Sequence, residues 1–236
     1  MSGALGRPRL HHRSIGSTNA HAQELAVAGA PHGTVVTARE QTAGRGRQGR
    51  AWTTPPGTAL AASVVLRDPP PLLTLAAALA VADVAVALDR ERREPAIKWP
   101  NDVLLGGRKV AGILAEGRLQ EGWAVLGIGL NVAVDPAALP PEVRERATTL
   151  GRDPAELERA LELLLEALER WLAVGDRELL TAYRERDALL GRPIDWSGGH
   201  GTAAGIADDG RLRIRTDAGD ELLLDAGEVH LGALPR

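Results

Sequence analysis

The chain has 236 residues, of which 25% are charged, and a net charge of -3. This length allows one main core and a small second domain, and the near-neutral charge creates no global field that would attract nucleic acid or an anionic membrane. The absence of cysteine excludes disulfides, thiol nucleophiles, thiolate metal sites and iron–sulfur clusters, which fits a cytoplasmic location. The first twelve residues contain no apolar segment of the kind that a secretory signal needs, so we expect no such signal. The longest apolar run, residues 72–88, is short for a membrane span, rich in alanine and interrupted by Asp83, so we expect a buried core helix there.

Three adjacent polar residues mark the first predicted helix. Ser17, Thr18 and Asn19 offer side-chain oxygens to cap a helix that we predict from about Asn19 to Ala28. The same side chains at a helix N-terminus can hydrogen-bond a ligand, so capping and ligand binding both remain open. The segment GTVVTARE at residues 33–40 is rich in β-branched residues and predicts a strand.

The segment from Arg39 to Trp52, the arginine loop, is the most distinctive part of the chain. It contains four arginines and three glycines, and it cannot be a helix because the TTPPG that follows it breaks helices. Glycines let backbone N–H groups approach a ligand closely, and arginine forks bind carboxylate or phosphate oxygens in bidentate fashion. The arginine loop therefore suits a ligand that carries both an acid and a phosphate.

Two other interpretations of the arginine loop fit less well. GRGRQG matches the G-x-G-x-x-G string of dinucleotide-binding proteins, but that fingerprint must open a helix, which the prolines exclude. Arg-Gly tails that bind nucleic acid are long and repetitive, whereas this segment is short and lies between apolar strands.

Apolar segments in the middle of the chain predict a sheet and a core helix. The apolar run at residues 72–88 predicts the core helix. Prolines and glycines mark the turns between the predicted strands. Pro100 disfavours the α conformation at Trp99, so we expect an extended segment that leads into a turn. The predicted strands and the extended segment are Thr58 to Leu66, Ile97 to Asn101, Asp102 to Leu105, Lys109 to Ala115 and Trp123 to Val132.

A second long helix is predicted after residue 150. It begins at Asp153, which is followed by a proline and, at Glu156, by the acid of a capping box. Apolar residues at spacings of three and four form one stripe, which we expect to pack on the sheet. The stripe consists of Leu157, Leu161, Leu164, Leu168 and Trp171.

The composition changes at Leu190, where five short strand-like runs begin. Regularly spaced turns separate them, which predicts a small closed β-barrel of SH3-like size without a catalytic constellation. The turns are Ser197-Gly198-Gly199, Asp208-Asp209-Gly210, Ala218-Gly219 and Ala226-Gly227.

Two further polar clusters could carry chemistry. The first consists of KWPND, at Lys98 to Asp102, and of Lys109 and Gly112, which follow it closely. A lysine in a strand usually faces water. Gly112, however, would let a ligand approach the strand that carries Lys109. Asp102 is a candidate metal-binding or general-base carboxylate, or equally a turn residue that caps its own backbone. The second cluster, GIGLN, ends at Asn131, which could bind a ligand or only a neighbouring strand.

Common catalytic motifs are absent from the sequence. The six histidines show no zinc spacing and no H-E-x-x-H, and there is no Walker A string or G-x-S-x-G elbow. The sequence therefore does not support a standard zinc, P-loop or hydrolase site.

The polar clusters, taken in order, resemble the biotin protein ligase family. GRGRxGRxW followed by KWPND and KxxGIL is a specific combination, and the resemblance spans nearly the whole chain. It implies an α/β fold of the α+β type, with a mixed β-sheet and packed helices in a catalytic domain at residues 1–189. An SH3-like β-barrel domain would follow at residues 190–236.

The resemblance also implies an activity. Family members use ATP and Mg²⁺ to convert biotin into biotinyl-5′-adenylate, and they then transfer biotin to one lysine of a carrier domain. It implies catalytic roles for Lys109, Arg47 and Asp102, and it assigns no metal ligands on the protein. The implied biotin-binding residues are Ser17, Thr18, Asn19, Gln41, Gly44, Arg45, Gly46, Arg47, Lys109 and Gly112, and those for ATP and adenylate are Arg47, Arg50, Trp52, Lys98, Asn101 and Asn131.

The implied partner is the biotin carboxyl carrier domain of a biotin-dependent carboxylase such as acetyl-CoA carboxylase. We expect no membrane partner, and no DNA binding, because about a dozen residues before the first motif are too few for a helix-turn-helix domain. Both a monomer and a homodimer fit the resemblance. Two alternatives stay open, namely a lipoate ligase or octanoyltransferase of the same architecture and a non-catalytic ligand sensor, but an arginine-rich loop ahead of KWPND favours biotin.

Overall fold

A seven-stranded mixed β-sheet forms the centre of the protein. The structure, a computed structural model, describes residues 5–225 and 229–231. The strands are β1 Arg9–His12, β2 Val35–Ala38, β3 Ala59–Arg67, β4 Pro95–Lys98, β5 Asp102–Leu105, β6 Arg108–Arg118 and β7 Trp123–Asn131. Their order is β1-β2-β3-β7-β6-β5-β4; β1 and β2 are parallel, and the other neighbours are antiparallel. The strands predicted between residues 58 and 132 are thus confirmed with small shifts at their ends.

The central strands β3 and β7 are buried on both faces of the sheet. They pair along their full length. Successive side chains alternate between the faces, so that Val64 belongs to the main core and Val65 to a smaller cluster on the opposite side. A strand covered on both sides needs apolar residues at nearly every position, which explains the sequence of β3.

Helices cover both faces of this sheet. They are α1 Thr18–Val27, α2 Leu73–Leu88, α3 Pro141–Arg144, α4 Leu157–Ala173 and α5 Asp176–Glu185. Helix α1 packs on β2, β3 and β7, and α2 lies on the other face beneath α4 and α5. Because α2 is enclosed by the sheet and these helices, its sequence is apolar nearly all round. None of the helices in the described ranges is both long and apolar enough to cross a bilayer.

The single charged residue of α2, Asp83, has partners on the neighbouring helices. It accepts a hydrogen bond from Trp171 Nε1 at 2.7 Å, and it pairs with Arg170 at 2.7 Å and with Arg186 at 3.4 Å. The carboxylate that interrupts the apolar run therefore joins α2 to α4 and to the end of α5.

The apolar stripe of α4 packs mainly on a helix, which corrects our expectation that it packs on the sheet. Leu161, Leu164 and Leu168 are buried in the main core, where α4 contacts α2 extensively and β3 only in small part. Helix α2 already occupies this face of the sheet, so α4 covers α2 from outside. Asp153 accepts a hydrogen bond from Ala155 N at 2.9 Å and so caps the 3-10 turn Pro154–Glu156, which leads into α4. Helix α4 itself begins at Leu157 without a side-chain cap.

The C-terminal segment forms a five-stranded antiparallel sheet. Its strands are β8 Pro193–Trp196, β9 Gly199–Ile206, β10 Leu212–Thr216, β11 Glu221–Leu224 and β12 Val229–Leu231, in the order β11-β10-β9-β8-β12. The five short strands that we predicted are confirmed. Within residues 5–225 and 229–231 no ladder joins β11 to β12, and closure of the sheet into a barrel stays a prediction. The predicted turn at Ala226-Gly227 lies outside the described residues.

Trp99 connects the two sheets. Its side chain is 2% exposed, and its Nε1 donates a hydrogen bond to Gly210 O, in the turn between β9 and β10, at 3.1 Å. A Cβ at Gly210 would lie 2.7 Å from a methyl carbon of Leu72, just before α2. The KWPND turn therefore packs against the C-terminal sheet.

Candidate functional site

A cavity of about 920 Å³ brings the polar clusters together. It is bounded by the N-terminus of α1, the arginine loop, the turn between β4 and β5, and parts of β6 and β7. Small-molecule pockets usually measure roughly 300–1,000 Å³, so this cavity is large enough for a nucleotide beside a second small ligand.

The N-terminus of α1 forms a buried polar end of the cavity. Thr18 donates hydrogen bonds to Gln41 Oε1 from its backbone N at 2.8 Å and from Oγ1 at 3.0 Å. Ser63 on β3 donates to Thr18 Oγ1 at 2.9 Å. Ser17 caps the helix by accepting from Ala20 N at 3.4 Å, and it also lines the cavity. Helix capping is therefore confirmed, and ligand binding by this cluster stays a prediction.

Asn19 presents an unpaired oxygen at this polar end. Its Nδ2 donates to Glu116 Oε2 at 2.6 Å, and Gln23 Nε2 donates to the same oxygen at 2.8 Å. Asn19 is 4% exposed, and its Oδ1 has no hydrogen-bond partner among the described residues. Gly127 on β7 lies next to that oxygen, and a Cβ there would collide with it. The glycine therefore makes room for the Asn19 amide.

Backbone hydrogen bonds give the arginine loop a defined shape. Gly46 N donates to Arg50 O at 2.7 Å, and Trp52 N donates to Gly44 O at 2.9 Å. Between them lies a single 3-10 turn in which Gln48 has a φ of 57°. A Cβ at Gly44 would collide with the Trp52 carbonyl oxygen, so the close approach of the two loop segments requires this glycine.

Arg47 connects the arginine loop to the KWPND turn. Its Nη1 donates to Asn101 Oδ1 at 3.2 Å, and Asn101 Nδ2 in turn donates to Ile113 O, on β6, at 2.8 Å. Burial lowers the pKa of Arg47, while the charge of Asp102 raises it and Arg50 lowers it further. A guanidinium remains charged despite such a shift. Arg47 thus provides a fixed, partly desolvated positive charge.

Lys109 lines the cavity, and its side chain is 34% exposed. Its Nζ lies 2.5 Å from Asp102 Oδ1 and 5.6 Å from the centroid of the Trp52 ring, within reach of a cation–π interaction. The β5–β6 ladder contains a register shift here, with Leu104 opposite Lys109 and Val103 opposite Ala111. Such bulges commonly re-aim a side chain next to a site.

The cavity has an excess of positive charge. Its described lining residues include seven arginines and lysines against three aspartates and glutamates. The chain contains two lysines, Lys98 and Lys109, and both are among these residues. Burial lowers the pKa of Lys98, Asp102 raises it, and Lys109, Arg50 and Arg146 lower it further. This cavity is suited to a highly charged anion such as a triphosphate.

The indole of Trp52 lies in a slot made by two glycines. A Cβ at Gly129 would lie 2.5 Å from Trp52 Cε2, and a Cβ at Gly112 would lie 3.3 Å from Cζ3. These glycines are directly opposite each other in the β6–β7 ladder. Trp52 Nε1 is buried and has no partner in the described part of the chain. Trp52 is therefore one of the residues that line the cavity, and its contact with ATP or adenylate stays a prediction.

One wall of the cavity comes from residues 139–147, which the sequence did not indicate. This segment pairs with the start of β6, since Lys109 N donates to Arg146 O at 2.7 Å and Thr148 N donates to Lys109 O at 2.8 Å. Asn131 Nδ2 donates to Thr148 O at 2.9 Å, while its Oδ1 has no partner among the described residues. Asn131 thus holds this wall and also faces the cavity.

The predicted site residues meet in this cavity, with one exception. Gly44 does not line it and acts through the shape of the arginine loop, whereas every other predicted site residue is a lining residue. Ser63 is a lining residue that we did not predict. It is opposite Gly127 in the β3–β7 ladder, and the only signal for it was a lone hydroxyl in an apolar strand.

Comparisons with known proteins identify the family of this chain. The Biotin/lipoate A/B protein ligase family matches residues 12–132, and the Biotin protein ligase C terminal domain matches residues 198–232. A Biotin--[acetyl-CoA-carboxylase] ligase from Paracoccus denitrificans is 41% identical over 92% of this chain and 97% of its own length. The enzyme of the same name from Mycobacterium tuberculosis is 38% identical over 91% of this chain and 85% of its own length. A biotin protein ligase from Aquifex aeolicus, solved in complex with biotin and ATP, has a TM-score of 0.78 and 27% identity and covers 95% of this chain and 98% of its own. The chain therefore belongs to the Biotin/lipoate A/B protein ligase family.

Proposed function

We propose that this chain is a biotin–protein ligase, which activates biotin with ATP and transfers it to a lysine of a biotin carboxyl carrier domain. The observation that carries the proposal is one cavity with two chemically different ends. One end has Lys109, Asp102 and Arg47, and the other is the buried polar group at the start of α1. The names of the relatives and the biotin and ATP in the Aquifex complex support the assignment.

The two ends match the two ends of biotin. The ureido group offers a carbonyl acceptor and N–H donors, which suit Thr18, Asn19 and Gln41. The carboxylate would then extend toward Lys109, beside the Trp52 indole that lies over Gly112. The other biotin contacts that we propose are Ser17 and the arginine-loop residues Arg45, Gly46 and Arg47.

In the first half-reaction a carboxylate oxygen of biotin attacks the α-phosphorus of ATP. The bond from that phosphorus to the bridging oxygen breaks, and pyrophosphate leaves. Negative charge gathers on the phosphoryl oxygens, and preorganised cations aimed there lower the barrier. We assign this role to Lys109, which Asp102 holds at 2.5 Å, and to Arg47. The proposed adenylate contacts are Arg50, Trp52, Lys98, Asn101 and Asn131.

In the second half-reaction the carrier lysine attacks the acyl carbon of biotinyl-5′-AMP. The amine must be neutral to attack, and the bond from the acyl carbon to the AMP oxygen then breaks. We propose that Asp102 orients this amine or accepts its proton, because it is the carboxylate beside the cation that marks the reacting end.

The arginine loop would keep water away from the adenylate between the two steps. Its contact with the KWPND turn, from Arg47 Nη1 to Asn101 Oδ1, can hold it over the cavity. Excluding water prevents hydrolysis of a reactive intermediate.

Magnesium enters the proposal with ATP. Within residues 5–225 and 229–231, no group of three or more His, Asp or Glu side chains is arranged to hold a metal ion. We therefore propose that the ligands of Mg²⁺ are phosphate oxygens and water, which this ion retains readily.

The proposal extends to partners and organisation. The carrier domain would belong to a biotin-dependent carboxylase, such as acetyl-CoA carboxylase, in the cytoplasm, without DNA or membrane as a partner. Residues 1–189 would form the catalytic domain and residues 190–236 the second domain, in a monomer or a homodimer.

The buried polar end of the cavity disfavours lipoate or octanoate as the acid. Both have an apolar end, which would leave Thr18, Asn19 and Gln41 without a polar partner, and unsatisfied buried polar groups are costly. A non-catalytic sensor would have no need for the Lys109–Asp102 pair beside the arginine loop.

ATP–pyrophosphate exchange tests the proposal. The purified protein with Mg²⁺ is assayed with biotin, with lipoate and with neither acid, and we expect exchange with biotin alone. Exchange with lipoate would assign the lipoate activity instead, and no exchange with either acid would favour the sensor.

A further inference from the structure

We propose that Glu116 is a positioning residue: it orients the Asn19 amide so that the oxygen, and not the nitrogen, faces the ligand. The site thereby selects an acid whose ring end carries an N–H donor. This inference rests on the proposed function and deepens it, because it assigns part of the selectivity for biotin to a residue that does not line the cavity.

The orientation follows from the chemistry of the two side chains. The oxygen and nitrogen of an Asn amide are nearly equal in size, so the hydrogen-bond partners decide which atom points where. A carboxylate accepts hydrogen bonds, and Glu116 Oε2 lies 2.6 Å from Asn19 Nδ2. Only the NH₂ group of Asn19 can satisfy that contact, so Oδ1 must point the other way.

Gln23 fixes the carboxylate itself. Its Nε2 donates to the same Glu116 oxygen at 2.8 Å, one helical turn after Asn19 on α1. Two donors from α1 therefore converge on one acceptor from β6. This arrangement holds the Asn19 amide in place before any ligand binds, which avoids the entropic cost of ordering it on binding.

The oxygen that results has no partner from the described residues. Asn19 is 4% exposed, its Oδ1 is buried, and this oxygen lies where a Cβ at Gly127 would otherwise be. A buried acceptor without a donor is unfavourable, and a ligand N–H at this point would satisfy it.

Biotin has such N–H groups in its ureido ring, whereas the dithiolane of lipoate and the methyl end of octanoate have none. An acid without the donor would leave Oδ1 unsatisfied, which costs roughly ten- to a hundredfold in affinity. Without the Glu116 carboxylate, the Asn19 amide could rotate and point its Nδ2 at the ligand, or it could lose its fixed position. Removing Glu116 should therefore weaken biotin binding without any direct contact between the two.

The first test measures the biotin KM and kcat of pyrophosphate exchange for Glu116→Ala. We expect the biotin KM to rise about tenfold, with smaller changes in kcat and in the ATP KM, because the lost hydrogen bond serves ground state and transition state alike. Glu24→Ala is the matched control: it also removes a carboxylate from a side-chain pair at α1, here with His21, and should leave the biotin KM unchanged.

An exchange of partners tests orientation and separates it from a structural role. Asn19→Asp places two carboxylates against each other and should raise the biotin KM at least as much as Glu116→Ala. Adding Glu116→Gln restores a hydrogen bond in the opposite direction, from the new amide on β6 to the new carboxylate on α1, and leaves a carboxylate oxygen facing the ligand. The double variant should recover most of the lost affinity.

The outcomes are distinguishable from failure of the proposed function. Biotin-dependent exchange by the unchanged protein tests the function. If that exchange is present and Glu116→Ala has the normal biotin KM, or if the double variant is no better than Asn19→Asp, the positioning role is wrong. If Glu116→Ala is unstable in thermal unfolding, the comparison of Asn19→Asp with the double variant decides the question.

Discussion

Lys109 Nζ lies 2.5 Å from Asp102 Oδ1, and this ion pair joins the KxxGIL and KWPND motifs across neighbouring strands. The bulge in the β5–β6 ladder lets both side chains reach the same space. Because each charge is held by the other, the lysine is fixed before substrates bind, and preorganised charges are the most effective in catalysis. We therefore propose that the two motifs operate as one unit.

Lys109→Gln should abolish most of the first half-reaction. The substitution keeps a hydrogen-bonding side chain but removes the charge, and losing one preorganised donor typically costs about a hundred- to a thousandfold in rate. The measurement is kcat for biotin-dependent pyrophosphate exchange. A change of less than about tenfold would contradict the role that we propose for Lys109.

Asp102→Asn should slow the transfer of biotin to the carrier. Supplying preformed biotinyl-5′-AMP isolates this step from any disturbance of Lys109, and losing a general base costs roughly a hundredfold or more. The carrier labelling rate in single turnover is the readout. Normal transfer together with normal adenylation would exclude a role for Asp102 in either step.

Arg47→Gly should let activated biotin escape. The substitution removes both a cation at the reacting end and the hydrogen bond to Asn101 Oδ1 that holds the arginine loop. Free adenylate acylates exposed amines, so bystander proteins should become biotinylated. The assay is biotin labelling of an unrelated lysine-rich protein, and labelling confined to the carrier would contradict the prediction.

Gly127→Ala should weaken biotin binding more than ATP binding. The new Cβ would collide with Asn19 Oδ1, and Asn19 cannot yield easily because Glu116 holds its Nδ2. We expect the biotin KM to rise about tenfold, the size of a lost buried hydrogen bond. Gly16→Ala is the matched control, since a Cβ there has no atom within 4 Å. Equal effects of the two substitutions would rule out this mechanism.

Lys98 should make the protein more stable as the pH rises through the alkaline range. Burial lowers the pKa of Lys98 in the folded state, so between that pKa and the ordinary value of 10.5 the unfolded chain binds more protons. The unfolding free energy should increase across this window. Burial raises the pKa of Tyr183, so its opposite effect is confined to higher pH, above about 10.

Denaturant unfolding of the unchanged protein and of Lys98→Met, at several values below about pH 10, measures this effect. The variant should show a smaller increase in stability with pH because it lacks the buried amine. Identical pH dependences would mean that Lys98 titrates alike in both states.

The sequence predicted those parts of the site whose residues are consecutive. The arginine loop and KWPND are short segments whose composition has few structural explanations, and both line the cavity. Ser63 and Glu116 could not be predicted, because they act through residues far away in sequence. Ser63 contacts Thr18 at a separation of 45 residues, and Glu116 contacts Asn19 at a separation of 97.

Local features of the fold could also be predicted from the sequence, whereas contacts between distant segments could not. Periodicity located α4 and its buried face, but it could not identify what that face covers, because both a sheet and a helix bury an apolar stripe. The cavity wall at residues 139–147 lacks a motif and is placed by backbone hydrogen bonds to Lys109, which depend on the sheet having formed.

The placement of both lysines of this chain in the cavity makes the protein suitable for site-selective spectroscopy. Isotope labelling of lysine would give two side-chain ammonium signals, one from Lys98 and one from Lys109, without background from other lysines. Their shifts would report the arrival of biotin, of ATP and of the carrier separately. The order in which the substrates bind could then be followed directly at the atoms that surround the reaction.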